Sequence, residues 1–305
     1  MDEELIQLKG VTKRFGKNLV LDSIDLVIPE GKITGIIGAS GEGKSTILKM
    51  LASFYTPNKG VILYKNKSLL KSRKVICHLF GLSIEDGSFY EKLSVKENLI
   101  HFGRLYGVKR NLLRKRVDEL INLVGLTDAE NTLAKNLSLG MKKRLDVGCA
   151  LIHNPAVLIL DEPTADLDPF LRKQMNHLIK QINSHGTTII LTTQLLLEAE
   201  EVCDRVAILF NEKIIEQGEP SKIKKKYHSK DLNEVFNKIF SKKERKTYQE
   251  SSKKKTKIKL LKHGSLKKSL LKNKDKIDEL LEKAKHDEDS EEILEKLRKE
   301  NEKND

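Results

Sequence analysis

The chain has 305 residues, 38% hydrophobic and 33% charged, with 57 Lys and Arg against 44 Asp and Glu, a net charge of +13. That length allows one large or two medium domains, and the apolar share suffices for a packed core over most of it. No apolar run reaches the roughly 18 residues of a membrane-spanning helix. Cys77, Cys149 and Cys203 are too few and too far apart for a disulfide framework or a zinc pattern, which fits a reducing setting. The opening MDEELIQLKG has no basic flank and no apolar stretch, so a cleaved secretory signal is not expected.

In chain order, ITGIIG (33–38) reads as a strand and STILKMLA (45–52) as the helix after it. VILY (61–64) reads as a second strand, and 110–124 as a helix. AVLIL (156–160) and TTIILT (187–192) read as strands, with a helix at 169–183 between them. The strand segments are short and nearly continuous in Ile, Leu and Val, as in strands buried on both faces of a parallel sheet. Alternation of strand and helix predicts an α/β fold. Near residue 221 the composition changes. Leu232, Val235, Phe236 and Ile239 still fall at helical spacing. Residues 241–276 are strongly basic and 277–305 lean acidic. There Ile277, Leu280, Leu281 and Ala284, and then Ile293, Leu294 and Leu297, form two groups at three- and four-residue spacing. The expectation is a charged tail, either amphipathic helices or disordered. Its basic part suits anionic lipid headgroups or nucleic acid.

The strongest signal is the run Gly38, Ala39, Ser40, Gly41, Glu42, Gly43, Lys44, Ser45, Thr46. It matches G-x-x-x-x-G-K-[ST] between a strand and a helix, the context a phosphate loop requires. Glycines let the backbone wrap around phosphate oxygens, and the following helix presents its positive end. Lys44 is expected to reach the β- and γ-phosphates, and the Ser45 hydroxyl to bind Mg²⁺. AVLILDE (156–162) is an apolar strand ending in two carboxylates. Asp161 suits the Mg²⁺ shell, and Glu162 suits a general base acting on water.

With these motifs the sequence resembles the ATP-binding subunit of ABC transporters over about residues 4–240. VTKRFG (11–16) looks like the adenine-stacking loop, with Phe15 as its aromatic. NLSLGMKKRL (136–145) looks like the signature, and DEPTADLDP (161–169) like the second phosphate-site motif and D-loop. TTQLLLEAEEVCDRVAIL (192–209) looks like the switch region, and DLNEVFNKIF (231–240) like the closing segment of exporter ATPases. The resemblance implies a phosphate-loop NTPase core over 1–220 with a mixed or parallel sheet, an antiparallel β subdomain and a helical subdomain at about 85–155. A closing segment at 221–240 and the charged extension at 241–305 follow. It implies ATP and Mg²⁺ as cofactors and a head-to-tail pair of subunits. Phe15, the 38–46 loop, Asp161 and Glu162 come from one chain, and Ser138 and Gly140 from the other, with Asp168 across the interface. It also implies a separate transmembrane permease subunit and a peripheral, cytoplasmic place on the inner face of the cell membrane.

Three departures stand against the family pattern. Gln194 occupies the place of the switch histidine. Its amide donates a hydrogen bond but carries no proton charge. Counting back from LSVKENL puts Glu85 where the family has a glutamine that touches Mg²⁺ and the attacking water. A carboxylate there binds metal but adds negative charge. Leu139 replaces the first signature glycine and crowds the approach to a partner's nucleotide. Gln194 and Glu85 burden this chain's own site, and Leu139 the site it completes. A homodimer carries all three in both sites; a heterodimer divides them. The leading expectation is an ATPase subunit powering export. The alternatives are a hydrolysis-poor regulatory subunit, or a soluble ATPase acting on nucleic acid or the ribosome. The eight histidines form no H-x₃-H pair, so no metal beyond Mg²⁺ is expected. Cys149 and Cys203 read as core residues. Phe89 and Tyr90 read either as a contact for the membrane subunit or as subdomain core.

Overall fold

The computed structural model describes residues 3–69, 78–85 and 87–239. Cys77 and the charged tail at 241–305 lie outside the described residues.

The chain opens with a long hairpin, β1 (Glu4–Phe15) and β2 (Asn18–Pro29). β3 (Ile33–Ile37) then leads into α1 (Lys44–Leu51). Next come β4 (Lys59–Tyr64), β5 (Lys67–Ser68) and β6 (Phe80–Ser83). Among the described residues, helices, turns and an isolated bridge between Ser94 and Leu133 separate β6 from β7. They include α2 (Val95–Leu105), α3 (Arg110–Leu123) and α4 (Leu139–Leu151). β7 (Val157–Asp161), α5 (Pro169–Ser184), β8 (Thr188–Thr193) and α6 (Leu196–Val202) follow. β9 (Arg205–Phe210), β10 (Lys213–Gly218), α7 (Pro220–Lys226) and α8 (Leu232–Ile239) end the described part.

Two sheets result. The first is antiparallel, in the order β2-β1-β4-β5, and the second is mixed, in the order β10-β9-β3-β8-β7-β6. In the second, β6, β7, β8, β3 and β9 run parallel, and β10 is antiparallel to β9. The expected α/β class and its antiparallel companion sheet are both present. Segment VILY is a correction. It belongs to β4 in the antiparallel sheet, where Val61 is exposed. A four-residue apolar run cannot by itself tell a two-faced strand from an edge-proximal one.

The five parallel strands of the mixed sheet are largely buried on both faces, unlike the half-exposed β10, and alternate residues separate the two cores. Leu158, Leu160, Ile189 and Leu191 face a core shared with α2 to α5, including Leu99, Val117, Leu145 and Ile179. Val157, Ile159, Ile190 and Ile36 face the other core, against α1 and the antiparallel sheet. Phe89 packs against the helical core, which favours the core reading of that aromatic. Cys149 and Cys203 are buried in the same core. At the end of the chain, Leu232 and Val235 of α8 are fully buried, and Phe236 packs on Ile208 and Phe210 of β9.

Candidate functional site

Parallel strand register decides which side chains meet. Ser83 of β6 pairs with Leu160 of β7, Asp161 pairs with Thr192 of β8, and Thr193 pairs with Ile37 of β3. The residues just past these partners therefore emerge side by side at the carboxyl edge of the sheet. They are Glu85, Glu162, Gln194 and the 38–46 loop. In open α/β sheets this edge is where ligands bind.

The loop turns from β3 into α1 through Gly43, whose φ is +104°. A Cβ there would sit 3.0 Å from the side chains of Val20 and Leu21, so only glycine fits both the conformation and the space. Glu42 ties the loop to the β9–β10 turn by accepting from the Asn211 amide at 2.9 Å. The Gly38 amide donates to the Thr193 carbonyl at 3.4 Å, which places the loop beside the switch segment. Ala39 is buried, Ser40 and Thr46 are half-buried, and Gly41 is exposed with a positive φ.

Lys44 is buried and makes three contacts at the loop. It donates to the carbonyls of Gly38 at 2.8 Å and Ala39 at 3.1 Å, and pairs with Glu162 Oε1 at 2.9 Å. Ser45 Oγ donates to Asp161 Oδ1 at 3.1 Å. Thr192 Oγ1 donates to the same oxygen at 2.7 Å and accepts from the Glu162 amide at 2.9 Å. Glu162 takes a left-handed φ of 49°, a costly conformation for a side chain with a Cβ and one common at functional sites. Burial pushes the Glu162 carboxyl above its usual range, the Lys44 ammonium opposes this, and the charges of Asp161 and Glu85 add to the rise. Glu85 stands two residues past Ser83 and Glu162 two residues past its partner Leu160, so the two follow their strands at the same level.

Phe15 closes the far end of β1 and is 42% exposed. Its ring meets Tyr55 edge-on at 5.1 Å, and Lys13 Nζ lies 4.8 Å from its centroid. Gln194 is exposed directly after β8. Its neighbour Thr193 is held by Glu198, a buried carboxylate that also accepts from Thr164 at 2.9 Å.

Three expected residues stand apart from this cluster, and their hydrogen bonds stay within their own helix starts. Ser138 caps α4 by accepting from the Met141 amide at 3.3 Å. Gly140 is buried against Leu171, whereas Leu139 is 45% exposed. Asp168 caps α5 by accepting from the amides of Phe170 and Leu171. Sequence reading did not single out Thr192, Tyr55 or Glu198. Each acts on a residue brought near by the fold, and nothing in its own neighbourhood of the sequence marks it.

A family model described as ABC transporter matches residues 21–165. An uncharacterised ABC transporter ATP-binding protein of Bacillus subtilis, YhcH, is 37% identical over 70% of this chain and 69% of its own length. The chain belongs to the ABC transporter ATP-binding proteins. The daunorubicin/doxorubicin resistance ATP-binding protein DrrA of Streptomyces peucetius is 35% identical over 72% of this chain and 66% of its own length. The linearmycin resistance ATP-binding protein LnrL of Bacillus subtilis is 32% identical over 70% of this chain and 67% of its own length. Among solved structures, an ATP-binding subunit of an ABC transporter superposes with a TM-score of 0.69 at 25% identity, covering 77% of this chain and 99% of its own. CbiO1 of Clostridium perfringens, part of an ABC transporter complex, also gives 0.69, at 27% identity over 76% of this chain and 93% of its own.

Proposed function

We propose that this chain is the ATP-hydrolysing subunit of an exporter, driving a separate membrane-spanning subunit. The observation that carries the reading is the meeting of Lys44, Ser45, Asp161 and Glu162 at the carboxyl edge of the sheet. The names of DrrA and LnrL, both resistance proteins, support export as the direction. Among the described residues no helix is long and apolar enough to cross a membrane. The reading places the span in another chain and this one on the inner face of the membrane.

Lys44 and the backbone amides of the 38–46 loop bind the phosphates, helped by the positive end of α1. The hydroxyl and carboxylate oxygens of Ser45 and Asp161 are the hard donors that Mg²⁺ takes. When bound, Mg²⁺ neutralises charge on the phosphate oxygens. Glu162 accepts the proton of the attacking water, and the Gln194 amide donates toward the phosphate. Glu85 adds a carboxylate beside Glu162. Phe15 offers a ring face to the base. Ser138 and Gly140 begin the helix that a second ATP-binding subunit presents, with Asp168 at the interface, so that nucleotide joins the two chains. The division into a 1–220 core, a 221–240 closing segment and a charged tail belongs to this reading, as does contact of the tail with anionic lipid.

A second reading, a regulatory subunit with little turnover, is favoured by the exposed Leu139 beside Ser138 and by Gln194 at the switch position. Turnover of Mg²⁺-ATP by the purified chain, beside Glu162→Gln and Gln194→His, separates the two. Wild-type turnover lost in Glu162→Gln supports the motor. ATP binding without turnover, cured by Gln194→His, supports the regulator. Absence of ATP binding overturns both.

A further inference from the structure

The loop carrying Glu85 is held from one side by the helix that Ser138 opens. Asp146 of α4 is 1% exposed, and it is the one carboxylate buried on that helix. Its Oδ2 accepts from Ser83 Oγ at 2.5 Å, and its Oδ1 accepts from the Ser88 amide at 2.6 Å. These two donors flank the segment 84–87 at both ends. Lys143, one helical turn earlier and so on the same face, donates to the carbonyl of Glu85 at 2.7 Å. Both oxygens of Asp146 and the ammonium of Lys143 are thus committed to the end of β6 and the residues that follow it.

The strand entering that loop is fixed to the same helix. A Cβ at Gly81 would lie 2.2 Å from the Ala150 carbonyl oxygen, so β6 and α4 pack backbone to backbone. Asp146 sits between Leu145 and Val147, both buried in the helical core. An apolar residue there would avoid the cost of burying a carboxylate. Burial pushes the Asp146 carboxyl above its usual range, and the bonds from Ser83 and Ser88 pull it back. What the carboxylate supplies in return is a hold on Ser83 and Ser88.

We infer that Asp146 and Lys143 are positioning residues that clamp Glu85 beside Glu162 by tying Ser83, Glu85 and Ser88 to α4. This rests on the nucleotide-site reading of Glu85 and Glu162, and it adds the part that sets where Glu85 stands. The helix that begins at Ser138 then carries, on another face, the loop of the chain's own site.

The test has two arms on the purified chain. The first compares amide hydrogen exchange in wild type, Asp146→Asn and Lys143→Met. Exchange at 84–88 is expected to rise about tenfold in both variants, with α4 and β7 protection unchanged, the pattern of local opening. Lys143 is only half-buried, so its variant keeps the test clear of misfolding. Unchanged exchange at 84–88, or loss of protection across the whole helical layer, overturns the clamp. The second arm measures kcat for Mg²⁺-ATP in wild type, Asp146→Asn, Glu85→Ala and the double variant. Asp146→Asn is expected to lower kcat about tenfold in wild type and less than about twofold in Glu85→Ala, the non-additivity of residues acting through one another. An equal drop in both backgrounds overturns action through Glu85. If wild type shows no turnover while the exchange arm behaves as expected, the motor reading of the site fails and the clamp stands.

Discussion

The ammonium of Lys44 lies 2.9 Å from Oε1 of Glu162, and both side chains are buried. The same nitrogen donates to two carbonyls of the phosphate loop. The cation proposed to bind phosphate and the carboxylate proposed as general base therefore hold each other. In that reading an anion that draws on Lys44 would weaken its hold on Glu162, and binding and activation of the base would share one contact.

Removing one partner of a buried pair leaves an uncompensated charge, at a cost of about 3 kcal/mol. Lys44→Met is expected to lower stability by that order and to abolish ATP binding. Adding Glu162→Gln removes the stranded carboxylate and should restore part of the stability but none of the binding. Urea unfolding of the three variants, beside ATP titration, checks this. A double variant less stable than Lys44→Met would show that the pair is not the source of the loss.

Leu139 is exposed next to Ser138, at the face proposed to meet a partner's nucleotide. Leu139→Gly is expected to strengthen ATP-dependent dimerisation of the Glu162→Gln chain several-fold, although glycine costs up to about 1 kcal/mol in a helix. Light scattering with and without ATP measures it. No change in dimerisation would mean that the leucine does not obstruct the approach.

Asp168 accepts from the amides of Phe170 and Leu171, and Pro169 stands at the first helical turn. Asp168→Ala is expected to cost about 1 kcal/mol through the lost cap. Asp168→Ser keeps a capping oxygen and should recover most of the melting temperature. If turnover falls equally in both while only Ala lowers the melting temperature, the carboxylate has a second task at the subunit interface.

His153 stacks on Tyr106 at 3.9 Å, and its Nε2 lies 3.2 Å from the Phe80 carbonyl. Its Nδ1 is buried without a hydrogen-bond partner, so a second proton has no acceptor. Burial lowers the imidazole from 6.5 to about 4, the Phe80 carbonyl opposes this, and the charges of His78 and Arg116 add smaller downward pushes. The folded state thus binds fewer protons than the unfolded state between these values. The contribution is full above pH 6.5 and is lost as pH falls toward 4. His153→Phe keeps the stack and should flatten the stability profile between pH 6.5 and 4.5. Parallel profiles for wild type and variant would refute the assignment.

The sequence by itself determined the phosphate loop, the carboxylate-ended strand and the family motifs, because each is written in contiguous residues. It also marked the α/β class and the amphipathic α8, through local apolar spacing. Its reading of VILY failed, because so short a run does not encode which sheet it joins. Only the tertiary structure decided which distant groups meet. Thr192 reaches Asp161 across 31 positions, Lys143 reaches Glu85 across 58, and Asp146 reaches Ser83 across 63. Parallel register sets Glu85 beside Glu162, since strands paired at Ser83 and Leu160 end level with each other. A side chain's type is local information, whereas its partner is fixed by pairing and packing between segments far apart in the chain.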